Sequence, residues 1–183
     1  EHNHVYTMGK SGDMSNLLID KEELIKREIE FFRINRGGDI TYHGPGQIMG
    51  YPIFDLDNFF TDINLYLRKL EEVIINTLKS YNQTGFTIKG ETGVWVKDKD
   101  GLSKKICAFG IRASRWVTMH GLCFNVDPDL SFFNHIIPCG IHNKGITSLK
   151  QLKKEDIDIE EVKSRLVENF KLVFNAEISF EAN

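Results

Sequence analysis

Twelve consecutive residues, Arg36 to Gln47, hold four glycines and a proline interleaved with an arginine, an aspartate, a tyrosine and a histidine. A backbone so rich in glycine can take left-handed conformations and approach a ligand with no Cβ in the way. The polar side chains between the glycines point to a shaped pocket wall; a linker would be richer in serine. The alternative is a compact Ω-loop that ties two strands together.

The chain of 183 residues fits one domain over 1–183, long enough to bury a core without disulfide staples. At 41% apolar and 11% aromatic residues it is globular in composition. A net charge of −3 argues against a general nucleic-acid binder. No apolar run approaches the roughly 20 residues needed to cross a bilayer, which predicts a soluble chain. Residue 1 is not Met and stands just ahead of a strand-like Val5-Tyr6-Thr7-Met8. The chain is therefore expected to begin inside its domain, with an N-terminal portion missing, and no targeting peptide can be judged.

Residues 15–34 mix apolar and charged positions and fit either a helix or a helix-to-strand passage. Met49 to Leu56 reads as a buried strand. From Asn58 to Ser80, Phe59, Ile63, Tyr66, Leu67, Leu70, Ile74 and Leu78 recur at helical spacing and predict an amphipathic helix. Gly93–Lys97 and Lys105–Ile111 flank a turn ending in Asp100-Gly101, a hairpin signal. Arg115 to Val126 is a third strand candidate. Asp158 opens a last helix, with Glu161 at its third position and a stripe of Ile159, Val162, Leu166, Phe170 and Phe174. Separate helical and strand clusters with a hairpin predict an α+β fold with a mixed or antiparallel β-sheet packed with helices.

The three cysteines, Cys107, Cys123 and Cys139, cannot all pair within the chain, and none forms a C-x-x-C. No zinc site is signalled, no metal is expected, and a reducing compartment follows. Cys139 stands between Pro138 and Gly140, a corner that can present sulfur to solvent beside free backbone N–H groups. It reads as a nucleophile or as a buried or bridged thiol. Cys107 and Cys123 sit in apolar strand-like runs and read as small hydrophobes. A nucleophilic cysteine needs a partner, and His120, His135 and His142 are available. Lys105 is a less obvious partner. It opens an apolar strand, so partial desolvation would favour a neutral, base-competent amine; from pattern alone it reads first as a solvated strand-edge lysine. Lys97, Lys99, Lys104, Arg112 and Arg115 cluster around the β region, as a docking face for an acidic partner or as plain solvated surface.

Three segments together resemble the lipoate biosynthesis octanoyltransferases. They are RGGDITYHGPGQ with YPIFDL (36–47 and 51–56), KICAFGIR with MHGLCFNV (105–112 and 119–126), and IIPCGI with GITSL (136–141 and 145–149). The opening EHNHVYTMG is similar to that family's early strand, and the resemblance is weakest over 57–90 and after 150. It places the acyl-thioester cysteine on Cys139 and the lysine that lowers its pKa on Lys105. Acyl binding is placed on Arg36, Gly37, Gly38, Asp39, Ile40, Thr41, Tyr42 and His43, on Ala108, Phe109 and Gly110, and on Gly121, Leu122 and Cys123. The family often has alanine where Cys107 and Cys123 stand, so Cys123 would narrow the acyl pocket. The implied fold is that of lipoate and biotin protein ligases. The implied reaction carries an octanoyl group from acyl carrier protein to a lysine of a lipoyl domain, without ATP or metal. The acceptors would be the lipoyl domains of 2-oxoacid dehydrogenase complexes and the glycine cleavage H protein. The setting would be the cytoplasm, or the mitochondrial matrix in a eukaryote, with no nucleic-acid or membrane partner. The rivals are an ATP-dependent lipoate or biotin ligase, a non-catalytic module that binds acyl chains or lipoyl domains, and a cysteine hydrolase.

Overall fold

A computed structural model describes residues 1–138 and 145–179. Cys139 and His142 lie outside the described residues. In chain order the elements are β1 (Val5–Met8), α1 (Lys21–Lys26), β2 (Glu30–Arg33), β3 (Ile40–His43), β4 (Gln47–Gly50), α2 (Ile63–Lys79), β5 (Gly85–Ile88), β6 (Glu91–Lys97), β7 (Ser103–Ser114), β8 (Val117–Asn125), β9 (Gly145–Ile146), α3 (Leu149–Lys153) and α4 (Ile159–Phe174).

Two sheets form. The smaller has the order β2-β1-β3, with β1 parallel to β2 and antiparallel to β3. The larger runs β4-β8-β7-β6-β5 in antiparallel pairs, and β9 lies parallel to β7. Both sheets are mixed and helices cover them, so the expected α+β architecture is the observed one. Period-two alternation assigns the faces. In the small sheet Tyr6, Met8, Ile40 and Tyr42 turn to a satellite core with Leu24, Ile29 and Ile136. In the large sheet Val94, Val96, Ile106, Leu122 and Phe124 meet Tyr66, Leu70, Ile74 and Leu78 of α2, with Val162, Leu166 and Phe174 of α4. The other faces of the two sheets look at each other across a cavity.

The glycine-rich run is not one loop. Residues 40–43 form β3, and the glycines stand in the turns on either side. Residues 15–34 resolve into a 3-10 turn, the short α1 and the strand β2. The strand expected over 49–56 stops at Gly50, because Pro52 has no N–H for a ladder, and Tyr51 and Ile53 are exposed. The long helix begins at Ile63 rather than Asn58: Asp62 takes the N-cap, its carboxylate accepting from the Asn64 and Leu65 N–H groups. The third strand begins two residues later than expected, at Val117. Arg115 and Trp116 both adopt positive φ, 50° and 59°, and make a tight turn of the handedness that two-residue hairpins favour, without the usual Asn-Gly. Asp158 caps α4 as its sequence predicts.

Candidate active site

The cavity between the sheets has a volume of about 900 Å³. Its floor is the large sheet. Cys123 pairs with Ala108 and Met49, and Gly121 with Gly110, so small side chains recur two residues apart on one face. Its roof is the outer face of the small sheet, with Val5 and Thr7 of β1, Phe32 of β2, and Thr41 and His43 of β3. At Gly110 a Cβ would come within 2.7 Å of the Arg36 Cδ, so the arginine stem lies directly on the glycine. Such a floor has room for a slender apolar chain.

Lys105 opens into this cavity and is only 8% exposed. The strand-edge reading of Lys105 is therefore wrong, and a β-bulge explains why. Val94 pairs with Cys107 but Trp95 pairs with Lys105, leaving Ile106 as an extra residue. Ile106 and Cys107, neighbours that would normally point apart, both enter the main core. The inserted residue resets the alternation, so Lys105 joins Ala108 and Gly110 on the cavity face. Gly93, at φ 140°, makes the space: a Cβ there would come within 2.9 Å of the Lys105 Cε. The Lys105 Nζ lies over the indole of Trp95, 4.8 Å from its centroid, an attractive placement for an ammonium. The Thr147 N–H donates to the Lys105 carbonyl at 3.0 Å, which ties the strand after the Cys139 segment to the lysine's own backbone.

Arg36 is buried in the roof. Its Nη2 donates to the Thr7 carbonyl at 2.6 Å and to Thr7 Oγ1 at 2.9 Å, its Nε to the same hydroxyl at 3.3 Å, and its Nη1 to the Gly37 carbonyl at 3.0 Å. His43 Nε2 stands 3.1 Å from that hydroxyl. Burial above all, then the charges of Arg36 and His2, push the His43 imidazole down to about 3, so it is neutral at physiological pH. The Gln47 side chain works the other way, favouring the protonated ring. Gln47 Nε2 donates to Asn125 Oδ1 at 2.9 Å, and Asn125 Nδ2 to the Thr147 carbonyl at 3.1 Å. Gln47 Nε2 also donates to the Tyr42 carbonyl at 3.3 Å, so this buried relay joins β3 to the strand that carries Lys105.

Residues 1–171 match the family model described as the lipoyl protein ligase A/B catalytic domain. The chain belongs to that family. The octanoyltransferase of Christiangramia forsetii is 56% identical over 182 residues, covering 99% of this chain and 78% of that protein. The octanoyltransferase of Bacteroides thetaiotaomicron is 46% identical over 166 residues, covering 91% and 73%. Among solved structures, a bipartite lipoate protein ligase from Thermoplasma acidophilum superposes with a TM-score of 0.77 at 17% identity, over 98% of this chain and 71% of that one. A lipoate-protein ligase A bound with ATP gives 0.74 at 16% identity, over 98% and 72%. At such identities the two structures show the ligase A/B fold alone.

Of the acyl-binding residues expected from the sequence, all but Tyr42 line the cavity, from Arg36 to Thr41 and at His43, Ala108 to Gly110 and Gly121 to Cys123. Tyr42 is placed elsewhere. Strand alternation turns its ring into the satellite core, stacked on Phe132 at 4.8 Å, where its hydroxyl meets His4 Nδ1 at 2.8 Å and burial raises its pKa. Cys107 and Cys123 are free and buried, and burial raises both thiols, Cys123 to about 12. His120 lines the cavity with its Nε2 2.7 Å from Asn35 Oδ1, while His135 ends a 3-10 turn and is not among the lining residues. Lys104 of the basic cluster is held by Asp98 at 3.1 Å. Among the described residues no group of three or more His, Cys, Asp or Glu is arranged to hold a metal, and no helix is long and apolar enough to cross a membrane. Thr7, Trp95, Phe32 and Met49 were missed by sequence reasoning. The alternation of Val5 and Thr7 within Val-Tyr-Thr-Met is the signal that would have put Thr7 on the cavity side; nothing local marks Trp95.

Proposed function

We propose that the chain transfers an octanoyl group from acyl carrier protein to a lysine of lipoyl domains, through a thioester on Cys139. The observation that carries this reading is Lys105, a buried lysine brought by a bulge into a cavity with a floor of small residues. High identity to several octanoyltransferases supports it.

In the first half-reaction Lys105 takes the Cys139 thiol proton, the resulting thiolate attacks the thioester carbonyl, and the carrier's sulfur leaves with that proton, returned by Lys105. In the second, Lys105 takes a proton from the acceptor lysine, whose amine attacks the acyl-enzyme and releases the Cys139 sulfur. The thioester lies higher in free energy than the amide, so the transfer runs downhill and needs neither ATP nor metal. Each methylene buried on the floor contributes about 0.8 kcal/mol, enough for eight carbons to be held and measured. The acceptors are the lipoyl domains of 2-oxoacid dehydrogenase complexes and the glycine cleavage H protein, and the setting is the bacterial cytoplasm.

The test is a transfer assay on a purified lipoyl domain. Octanoyl-acyl carrier protein without ATP is expected to modify it, and free octanoate with ATP is not. Modification only from the free acid with ATP would make the chain a ligase and overturn the proposal.

A further inference from the structure

We infer that Glu71 is a positioning residue for Lys105: its buried carboxylate holds the Gly93 N–H from the helix side and fixes the kink in β6 against which the lysine stem lies. This rests on the acyl-transfer reading for what Lys105 does, though not for where Lys105 stands.

Glu71 is a carboxylate where the helix pattern calls for an apolar side chain. On α2 it lies one turn after Leu67 and one turn before Ile74, in line with the stripe that packs under the large sheet. It is 1% exposed. A buried charge is costly unless it is paired and hydrogen-bonded, so an acid here needs partners that an apolar residue could not serve. It has two. Arg68, about half exposed and one turn earlier, meets its Oε2 at 2.6 Å, and the Gly93 N–H donates to its Oε1 at 3.3 Å. Burial raises the Glu71 carboxyl, while both partners favour its ionised form.

The second partner is the informative one, because both ladders of β6 break at Gly93. The pairing with β5 passes from Phe86–Trp95 to Ile88–Glu91, so Thr87 alone stands against Thr92, Gly93 and Val94. The pairing with β7 starts at Val94–Cys107 and is shifted by the bulge at Ile106. Among the described residues Gly93 therefore stands opposite no residue of either strand. Its N–H, at φ 140°, goes to Glu71 instead. On the other side of the same glycine lies the lysine. A Cβ on Gly93 would stand 2.9 Å from the Lys105 Cε, 3.3 Å from its Cδ and 3.0 Å from the Cys107 carbonyl oxygen. One short stretch of backbone thus has the carboxylate on its helix side and the lysine stem on its cavity side, with Nζ over Trp95 at 4.8 Å. Gly93 is buried. Without the acceptor beneath it, its N–H would have to turn to find another. The kink, the bulge and the stem resting on them would then move together.

NMR of the protein labelled with carbon-13 lysine reads the placement. A methylene above an indole face is shielded by the ring, so the wild type should show a shielded lysine Cε–H signal that is absent from Lys105→Arg. Glu71→Leu removes the acceptor, and Glu71→Asp keeps the charge but is one methylene too short to reach Gly93. In both, the signal should return towards the positions of exposed lysines. Glu71→Gln keeps an oxygen at the same reach and should keep the shielded signal. Single-turnover acylation by octanoyl-acyl carrier protein should follow the same order. Glu71→Leu should be about 10²-fold slower, as for a reacting group misplaced by about 1 Å, with donor affinity close to wild type. Glu71→Gln should recover most of that rate. A carboxylate that only stabilises the fold would change the thermal midpoint of these variants and leave the lysine signal and the rate of the folded protein where they were. A folded Glu71→Leu or Glu71→Asp that keeps the shielded signal, or loses it and still acylates at the wild-type rate, would overturn the inference. So would a wild type with no such signal. Failure of the wild type to acylate would sink the acyl-transfer reading, with the lysine's placement still decided by NMR.

Discussion

Cys107 and Cys123 sit on adjacent strands, both buried, both with thiols that burial raises. They nonetheless belong to different worlds. Cys107 faces α2 with Ile106, Leu122 and Phe124, in a core packed to exclude everything. Cys123 faces the cavity with Ala108, Gly110 and Gly121, where the side chains are too small to fill the space between the sheets. The helix-covered face spends side-chain volume on stability, and the cavity face withholds it to admit a ligand. The bulge at Ile106 is where the chain passes from one rule to the other, placing a core isoleucine and a cavity lysine next to each other.

That contrast is broken most severely at the bulge. Lys105→Met should cut octanoyl transfer about 10² to 10⁴-fold in a steady-state assay while leaving the thermal midpoint at or above wild type. Ile106→Ala should do the opposite, losing about 2–5 kcal/mol in chemical denaturation with catalysis by the folded fraction intact. Equal effects of both substitutions on activity and stability would erase the distinction between the faces.

Acid sharpens the comparison next. His43 on the cavity roof has a folded pKa near 3, below its unfolded value. A depressed pKa means that the unfolded chain binds the extra proton. Its contribution is full above the unfolded pKa and is lost as pH falls towards 3. Over that window it adds about 1.4 kcal/mol per pH unit to the slope of stability, and His43→Asn should flatten the acid limb by that much in urea titrations. The two cysteines then separate by kind of effect. Cys107→Ala should cost about 1 kcal/mol of stability with chain-length preference unchanged. Cys123→Ala should cost less and let longer acyl chains compete with octanoyl in a mixed-donor assay. Smallest of all, Trp116→Gly should stabilise the hairpin turn by about 1 kcal/mol, since glycine takes its positive φ without strain. A drop in thermal midpoint would show that the exposed indole contributes packing worth more than the relieved strain.

Much of the fold was legible because it rests on local signals. The α2 and α4 stripes, the Asp158 cap and the Asp100-Gly101 hairpin each declare themselves within a few residues. What escaped was set by register between distant segments. Lys105 looks like an edge lysine until its pairing with Trp95 is known, and no pattern within Lys105–Ile111 announces the extra residue. Tyr42 sits between Thr41 and His43 in a run that reads as a single pocket wall, yet strand alternation sends it to the other side. Thr7 lies far from Arg36 and His43 in sequence, and only the pairing of β1 with β3 makes its hydroxyl the hub of the roof. The Arg115-Trp116 turn escaped because neither residue is one that favours positive φ.

Intact-protein mass spectrometry after brief incubation with octanoyl-acyl carrier protein, in the absence of an acceptor, addresses the acyl-enzyme itself. The wild type should gain the mass of one octanoyl group, labile to hydroxylamine as a thioester is, and Cys139→Ser should gain no such adduct. An unmodified wild type, or an adduct that persists in Cys139→Ser, would contradict the account.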